Sequence, residues 1–402
     1  MSIVVTASFW LFLAIILTPG HLVAVKFMLV ILLSCCGLVY RFTNNKPLRF
    51  SRRCLFYFAL LLVLYLASLF GLWLGFYHDN PGAIDNIGVY LVYPFVWASF
   101  FLANGLEATK KILVKSSLYG GVLLSLVVLI VAFLVLMIGI DDSNIPLLST
   151  FEIATGTQFG GFKLSAKFLP YLIFSFAMLL EIGITKTSKY HFSDVIGQKK
   201  AFGAAILILA ALALSGRTVM LLCIVWFFVR SAPYFLTSYK RITSLITIIM
   251  GFILLVDFNQ INLALQSKLS LTPELSEIGM RRISQLFEGF QLVANEPFLG
   301  YGVGHYFESV GDWRIEITPV TVFVAHGLVV STAWVLFYLF VSWRLVKCCK
   351  MNYLANASFL FMAASATNPI LLKFEFIWIF LAPFVIYGMV QFQPYRNNLN
   401  AS

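Results

Sequence analysis

The sequence predicts an all-α integral membrane protein with about twelve transmembrane helices, and three observations carry that prediction. Of the 402 residues, 60% are hydrophobic and only 11% charged, where a soluble domain carries roughly a quarter charged. Apolar runs of about 20 residues, the length that crosses a hydrocarbon core of about 30 Å as a helix, recur from one end of the chain to the other. Basic residues collect in alternate short loops between those runs, as the positive-inside rule requires.

Hydropathy and loop chemistry place helices near residues 3–18, 22–40, 54–77, 85–105, 112–140, 169–185, 201–215, 218–233, 242–258, 320–343, 353–370 and 374–392. The chain 1–402 therefore reads as a single polytopic membrane domain. Its opening run, Ile3 to Leu17, lacks a basic n-region and a small-x-small cleavage site, so it reads as the first helix and not as a signal peptide. The hardest assignment is 201–233, where only Ser215, Gly216 and Arg217 interrupt an apolar run. Basic loops on both sides, at 186–200 and 230–241, favour two helices joined by a tight turn.

Those alternate loops hold Arg41, Lys46, Arg49, Arg52 and Arg53, then Lys110 and Lys111, then Lys186 to Lys200, Arg230 to Arg241, and Arg344 to Lys350. They are expected in the cytoplasm together with both termini. The intervening loops, His78 to Asp85, 141–168 and the long 259–319, are then periplasmic.

The formal charge of +11 is accounted for by those loops and implies no nucleic-acid partner. Six cysteines, Cys35, Cys36, Cys54, Cys223, Cys348 and Cys349, lie within helices or near their basic ends. Neither their spacing nor companion histidines suggest a disulfide framework, a metal site or a cofactor.

Chemistry concentrates on the face opposite the cytoplasm. Arg217 sits at the outer edge of the bilayer, where an arginine serves either as a snorkelling anchor or as an anion ligand. In the long loop, Thr272-Pro273-Glu274 has the form of a helix start and Asn295-Glu296-Pro297 that of a stop. Between them Ile283, Leu286, Phe287 and Phe290 make an apolar stripe with helical spacing, with Arg281 and Arg282 beside it. Such a helix is an interfacial element or a lid. Next comes Pro297-Phe298-Leu299-Gly300-Tyr301-Gly302-Val303-Gly304-His305, where alternating glycines allow a tight turn and close approach of a ligand. The earlier loop around Gly156 to Lys167, with Lys163 and Lys167, combines glycines, aromatics and cations suited to sugar and phosphate, or is an ordinary mobile loop.

An outer-edge arginine at 217, then Arg282 followed fifteen residues later by Pro-Phe-Leu-Gly-Tyr-Gly-Val-Gly, resembles the O-antigen ligase and polymerase superfamily. The resemblance covers the whole topology, with specific motifs over about 215–328. It implies a fold related to the type C glycosyltransferases, localisation in the bacterial inner membrane, and action on glycans carried by undecaprenyl diphosphate. By the same resemblance Arg217 and Arg282, with Arg281 close by, bind the lipid diphosphate. Gly302, Gly304, His305 and His326 then fall in the substrate-binding region.

A guanidinium suits that role, being always charged and offering paired donors to phosphate oxygens. Ligases of the superfamily carry a His-Asn pair about eleven residues before a helix-opening glycine; counting back from Gly327 reaches Glu316 instead, and no His-Asn dipeptide exists in the chain. That departure favours a polymerase over a ligase, with Glu316 the positional candidate for the base and Asp312, His305 and His326 its rivals. A polymerase of this kind is expected to work beside a chain-length regulator. A transporter, the reading from another class, is expected to show related halves and mid-membrane charges. No repeat is visible, and Glu181 and Lys373 lie near predicted helix ends.

Overall fold

The computed structural model of the chain describes residues 3–18, 22–43, 52–138, 153–158, 161–185, 196–215, 217–235, 273–312, 317–366 and 373–392. The described chain is mostly helical. Four segments, Val23–Thr43, Arg52–Tyr77, Gly88–Val135 and Thr318–Lys347, are long and apolar enough to cross a membrane, and shorter apolar helices accompany them. A membrane-embedded all-α protein fits these lengths. The predicted helix at 242–258 lies outside the described residues.

The chain divides into two compact units, residues 1–113 with 280–402, and residues 114–279. In the first unit α1 (Ile3–Leu17) pairs with α2 (Val23–Thr43), while α3 (Arg52–Tyr77) packs against α10 (Thr318–Lys347) and α12 (Ile377–Phe392), with α11 (Asn352–Ser365) against the latter two. The join is dense and aromatic: Trp97 is fully buried and donates its indole N–H to the Phe374 carbonyl at 2.8 Å. Tyr57 of α3 likewise donates to the Phe384 carbonyl of α12 at 2.9 Å, because a phenol carried into an apolar interior must find an acceptor.

Within α4 (Tyr93–Lys115) the helical path stops at 105, as the sequence predicts, but the basic residues around Lys110 that follow are helical. Gly105, at φ +73°, breaks the helical path, and the helix resumes at once. A break frees carbonyls that lipid cannot satisfy. Arg41 of α2 answers one of them, donating to the Leu102 carbonyl at 3.0 Å. The basic residues after the break therefore extend a helix instead of forming a loop.

The second unit is built on α6 (Leu169–Ile184), buried along nearly its whole length and packed by α5 (Gly121–Ile138), α7 (Gln198–Ala213) and α8 (Arg217–Phe235). Here α7 and α8 are separate helices, as the loop charges predict; Leu214 and Ser215 close α7 through the Ala211 and Leu212 carbonyls. Glu181, buried in α6, receives Arg230 of α8 as a two-point ion pair, with Nη2 to Oε2 at 2.9 Å. Part of the 141–168 segment is an antiparallel hairpin, β1 (Ile153–Gln158) against β2 (Gly161–Ala166), with Gln158 opposite Gly161. The Leu164 amide fastens it to the Leu214 carbonyl at 3.1 Å.

One feature of the first unit escaped the sequence reading. Lys26 of α2 is fully buried and stands 3.0 Å from Glu375, itself nearly buried just ahead of α12. The pair is held by charge without hydrogen-bond alignment. Removing one partner strands the other charge, which costs about 3–5 kcal/mol, whereas replacing both by apolar groups is close to neutral. Lys26→Met is thus expected to lower the melting temperature in detergent sharply and Lys26→Met/Glu375→Leu to restore most of it; equal losses in the two variants would show that the pair is not coupled.

Candidate functional site

The glycine-rich segment is non-helical backbone held in place by its neighbours. Helix α9 (Pro273–Asn295) begins and ends where the sequence predicts, and residues 297–304 turn back between α3 and α10. Each strut is a main-chain bond. The Tyr301 amide donates to the Val324 carbonyl at 2.8 Å, the Val303 amide to the Gly71 carbonyl at 3.0 Å, and the Leu328 amide of α10 to the Pro297 carbonyl at 2.7 Å. Asn80, just past α3, adds its side-chain amide to the Tyr301 and Val303 carbonyls at 2.9 and 3.2 Å.

Such approach is possible only without side chains in the way. Gly302 has φ +84°, and a Cβ on it would stand 2.3 Å from the Gly75 amide nitrogen; on Gly304 a Cβ would stand 2.3 Å from the Gly82 carbonyl carbon. Gly327 breaks α10 at φ +68° and frees the Leu328 amide for Pro297.

Helix geometry gives the depth of this turn. Counting about twenty residues, or about 30 Å, from the basic end of α10 at Arg344–Lys347 reaches Leu328, and the same count along α3 from Arg52 reaches Gly71. Both are partners of the turn. The turn therefore docks on both helices about one hydrocarbon thickness along their length from the basic ends.

Around the turn stand ionisable and aromatic groups. His305 lies over the Tyr301 ring at 4.6 Å. His78 approaches the Tyr301 carbonyl at 3.2 Å through Nδ1. His326, buried beside the Gly327 break, meets the Tyr90 hydroxyl at 3.1 Å through Nε2, while its Nδ1 has no partner among the described residues. Tyr90 belongs to a π-helical turn, Gly88–Val92, ahead of α4, a local irregularity often found at functional sites. Glu288 of α9 accepts from the Glu308 and Ser309 amides at 2.7 and 3.0 Å and from the Ser309 hydroxyl, which pins the following turn to α9.

The predicted site residues fall into three groups. Arg282, Gly302, Gly304, His305 and His326 belong to the first unit, and so does Asp312, whose carbonyl accepts the Phe307 amide. Arg282 is half-buried, seven residues before Gly289 on the α9 face that packs against α10. Arg281 also lies in α9. Arg217 is the first residue of α8 in the second unit, where β2 carries Lys163 and Lys167 is buried in the turn that follows it. Glu316 lies outside the described residues.

Two findings correct the sequence reading here. The stripe Ile283, Leu286, Phe287 and Phe290 is not one face: Leu286 packs inward with Leu292 and Val293 on Phe307, Val320 and Val324, while the other three are exposed. The inward face was hidden because its centre is Gly289, which has no hydropathy to signal it. Gln285, also missed, is buried on that inner face with its Oε1 unpartnered among the described residues.

Burial first, and then the nearby His78, hold the His305 ring below its ordinary pKa, against the opposing pull of Glu288. His305 is neutral at pH 7 and able to accept a proton. Because its folded pKa is depressed, the unfolded chain binds more protons as pH falls through about 6.5, so its contribution to stability is present above that pH and lost with acid. Melting temperature in detergent is expected to fall on acidification, and part of that fall to disappear in His305→Gln; an unchanged profile would assign the dependence elsewhere. Gly302→Ala is expected to destabilise by more than the about 1–2 kcal/mol of its backbone conformation alone, because the added methyl meets α3 backbone. Gly203→Ala, in open space on α7, is expected to be neutral or stabilising by about 0.5–1 kcal/mol; parity of the two in a thermal-shift assay would refute the close-approach account.

No family model, curated protein or solved structure matches the chain.

Proposed function

We propose that the chain is a membrane glycosyltransferase of the O-antigen polymerase kind, which joins oligosaccharide repeat units carried on undecaprenyl diphosphate into a surface polysaccharide. The observation that supports it is the 297–304 turn, held by main-chain bonds about one hydrocarbon thickness from the basic helix ends and fed directly by the helix that carries Arg282. A lipid-linked donor presents its diphosphate and glycan at that depth. In this reading the fold is a type C glycosyltransferase relative with about twelve spans, set in the bacterial inner membrane with the site facing the periplasm.

The reaction is a metal-independent displacement with inversion. An acceptor hydroxyl on one carrier-linked unit attacks the anomeric carbon of the growing chain. The bond from that carbon to the phosphate oxygen breaks, and undecaprenyl diphosphate departs with the electron pair. The acceptor proton passes to a base, for which His305 offers a neutral ring and Glu316 remains the positional candidate. By the resemblance Arg282 of the first unit and Arg217 of the second are each assigned to lipid diphosphate, where a fixed cation offsets the charge that builds on the leaving group. At Arg217 the first-turn amides of α8 add partial positive charge. A chain-length regulator is the expected protein partner.

Arg282→Ala and Arg217→Ala are each expected to lower polymer formation by about 10²–10³-fold, the usual effect of removing one such stabilising donor. Lys347→Ala, at the opposite end of α10, should leave it unchanged. A normal lipopolysaccharide ladder in the Arg217→Ala strain would sink the assignment. Deletion of the gene separates the ligase alternative on the same gel: loss of a polymerase leaves a single repeat on the core, whereas loss of a ligase leaves bare core.

A further inference from the structure

Helix α9 has two apolar faces, and the described residues of the first unit cover one. Leu286, Gly289, Leu292 and Val293 face inward. On the other side Ile283, Phe287, Phe290 and Ala294 fall on one helical face with no ionisable residue among them. Phe287 and Phe290 are each 67% exposed, and the next turn continues the surface with Phe298, 71% exposed, and Leu299. A lid facing water would carry polar residues on that side, and a contiguous aromatic surface of this kind marks an interaction site.

Depth tells what covers it. Gly289 meets Val320 in the first turn of α10, and Pro297 bonds Leu328, about one hydrocarbon thickness from the basic end of α10. The exposed face therefore lies at headgroup depth. On α3 the same level is marked by Trp73 and Tyr77, exposed and stacked with ring centroids 5.5 Å apart; tryptophan and tyrosine are the residues enriched at membrane interfaces. Glu288 of α9 is turned toward the Glu308 and Ser309 amides, while the exposed Glu296 stands just ahead of the Phe298–Leu299 turn.

We propose that the outward face of α9 and the Phe298–Leu299 turn are seated in the bilayer interface on the side opposite the basic helix ends, with phospholipid as the partner. The seat makes α9 a half-embedded floor beside the turn and holds Arg282 at the depth of lipid phosphates. It does not depend on glycosyl transfer.

The full chain in nanodiscs of phosphatidylethanolamine and phosphatidylglycerol tests this, with a photoreactive diazirine phenylalanine replacing Phe287, Phe290 or Phe298 and, as an inward control, Leu292. Illumination is expected to shift the mass by one phospholipid at the three outward positions and to give only products internal to the chain at 292. Water adducts at the outward positions would overturn the proposal in favour of a soluble lid, and a cross-linked dimer would overturn it in favour of a second copy. Amide exchange of unmodified protein is the second readout. Residues 287–299 should exchange more slowly in nanodiscs than in lipid-free amphipol, and equal rates in the two would also overturn it.

Discussion

Main-chain docking of residues 297–304 between α3 and α10 is the constraint on which the first unit depends. Irregular backbone carries amides and carbonyls that hydrocarbon cannot satisfy, so at membrane depth it survives only where protein supplies partners. Here the partners are themselves backbone: the Gly71 and Val324 carbonyls and the Leu328 amide. The exchange works because α10 breaks at Gly327 and α3 offers Gly71 and Gly75 where the turn arrives. The same glycines that admit the turn also make room for His326, whose ring lies where a side chain on Gly71 would be.

Charge follows a parallel logic. Lys26 and Glu375 are taken out of water together, and the buried Glu181 is met by the partly exposed Arg230, since a lone buried charge is far costlier than a matched one. Neither pair touches the glycine turn. The groups that do stand beside it are histidines and tyrosines, together with Glu288, which is committed to the 308–309 amides. Arg282 lies on the helix that leads into the turn.

Much of the architecture was legible because a membrane sorts residues by type along the chain. The α7–α8 division was readable from flanking basic loops, and both ends of α9 from Thr272-Pro273 and Asn295-Glu296-Pro297, because helix starts and stops are set by local backbone chemistry. The hairpin was not: its Thr, Phe and Gly residues also suit a mobile loop, and only pairing distinguishes the two. Nor was the continuation of α4 past Gly105, because the break lasts one residue and is answered by Arg41 from another helix.

The sequence by itself determined that the chain carries apolar helices suited to a bilayer, where α9 begins and ends, and that glycines cluster at 300–304, since each follows from transfer free energies and dihedral preferences that act locally. Tertiary structure alone decided which carbonyls those glycines reach, that Leu286 turns inward while Phe287 and Phe290 turn out, and that Lys26 finds Glu375. Such outcomes depend on which helices become neighbours and at what height, and hydropathy, which sums over one segment at a time, carries no information about a partner hundreds of residues away.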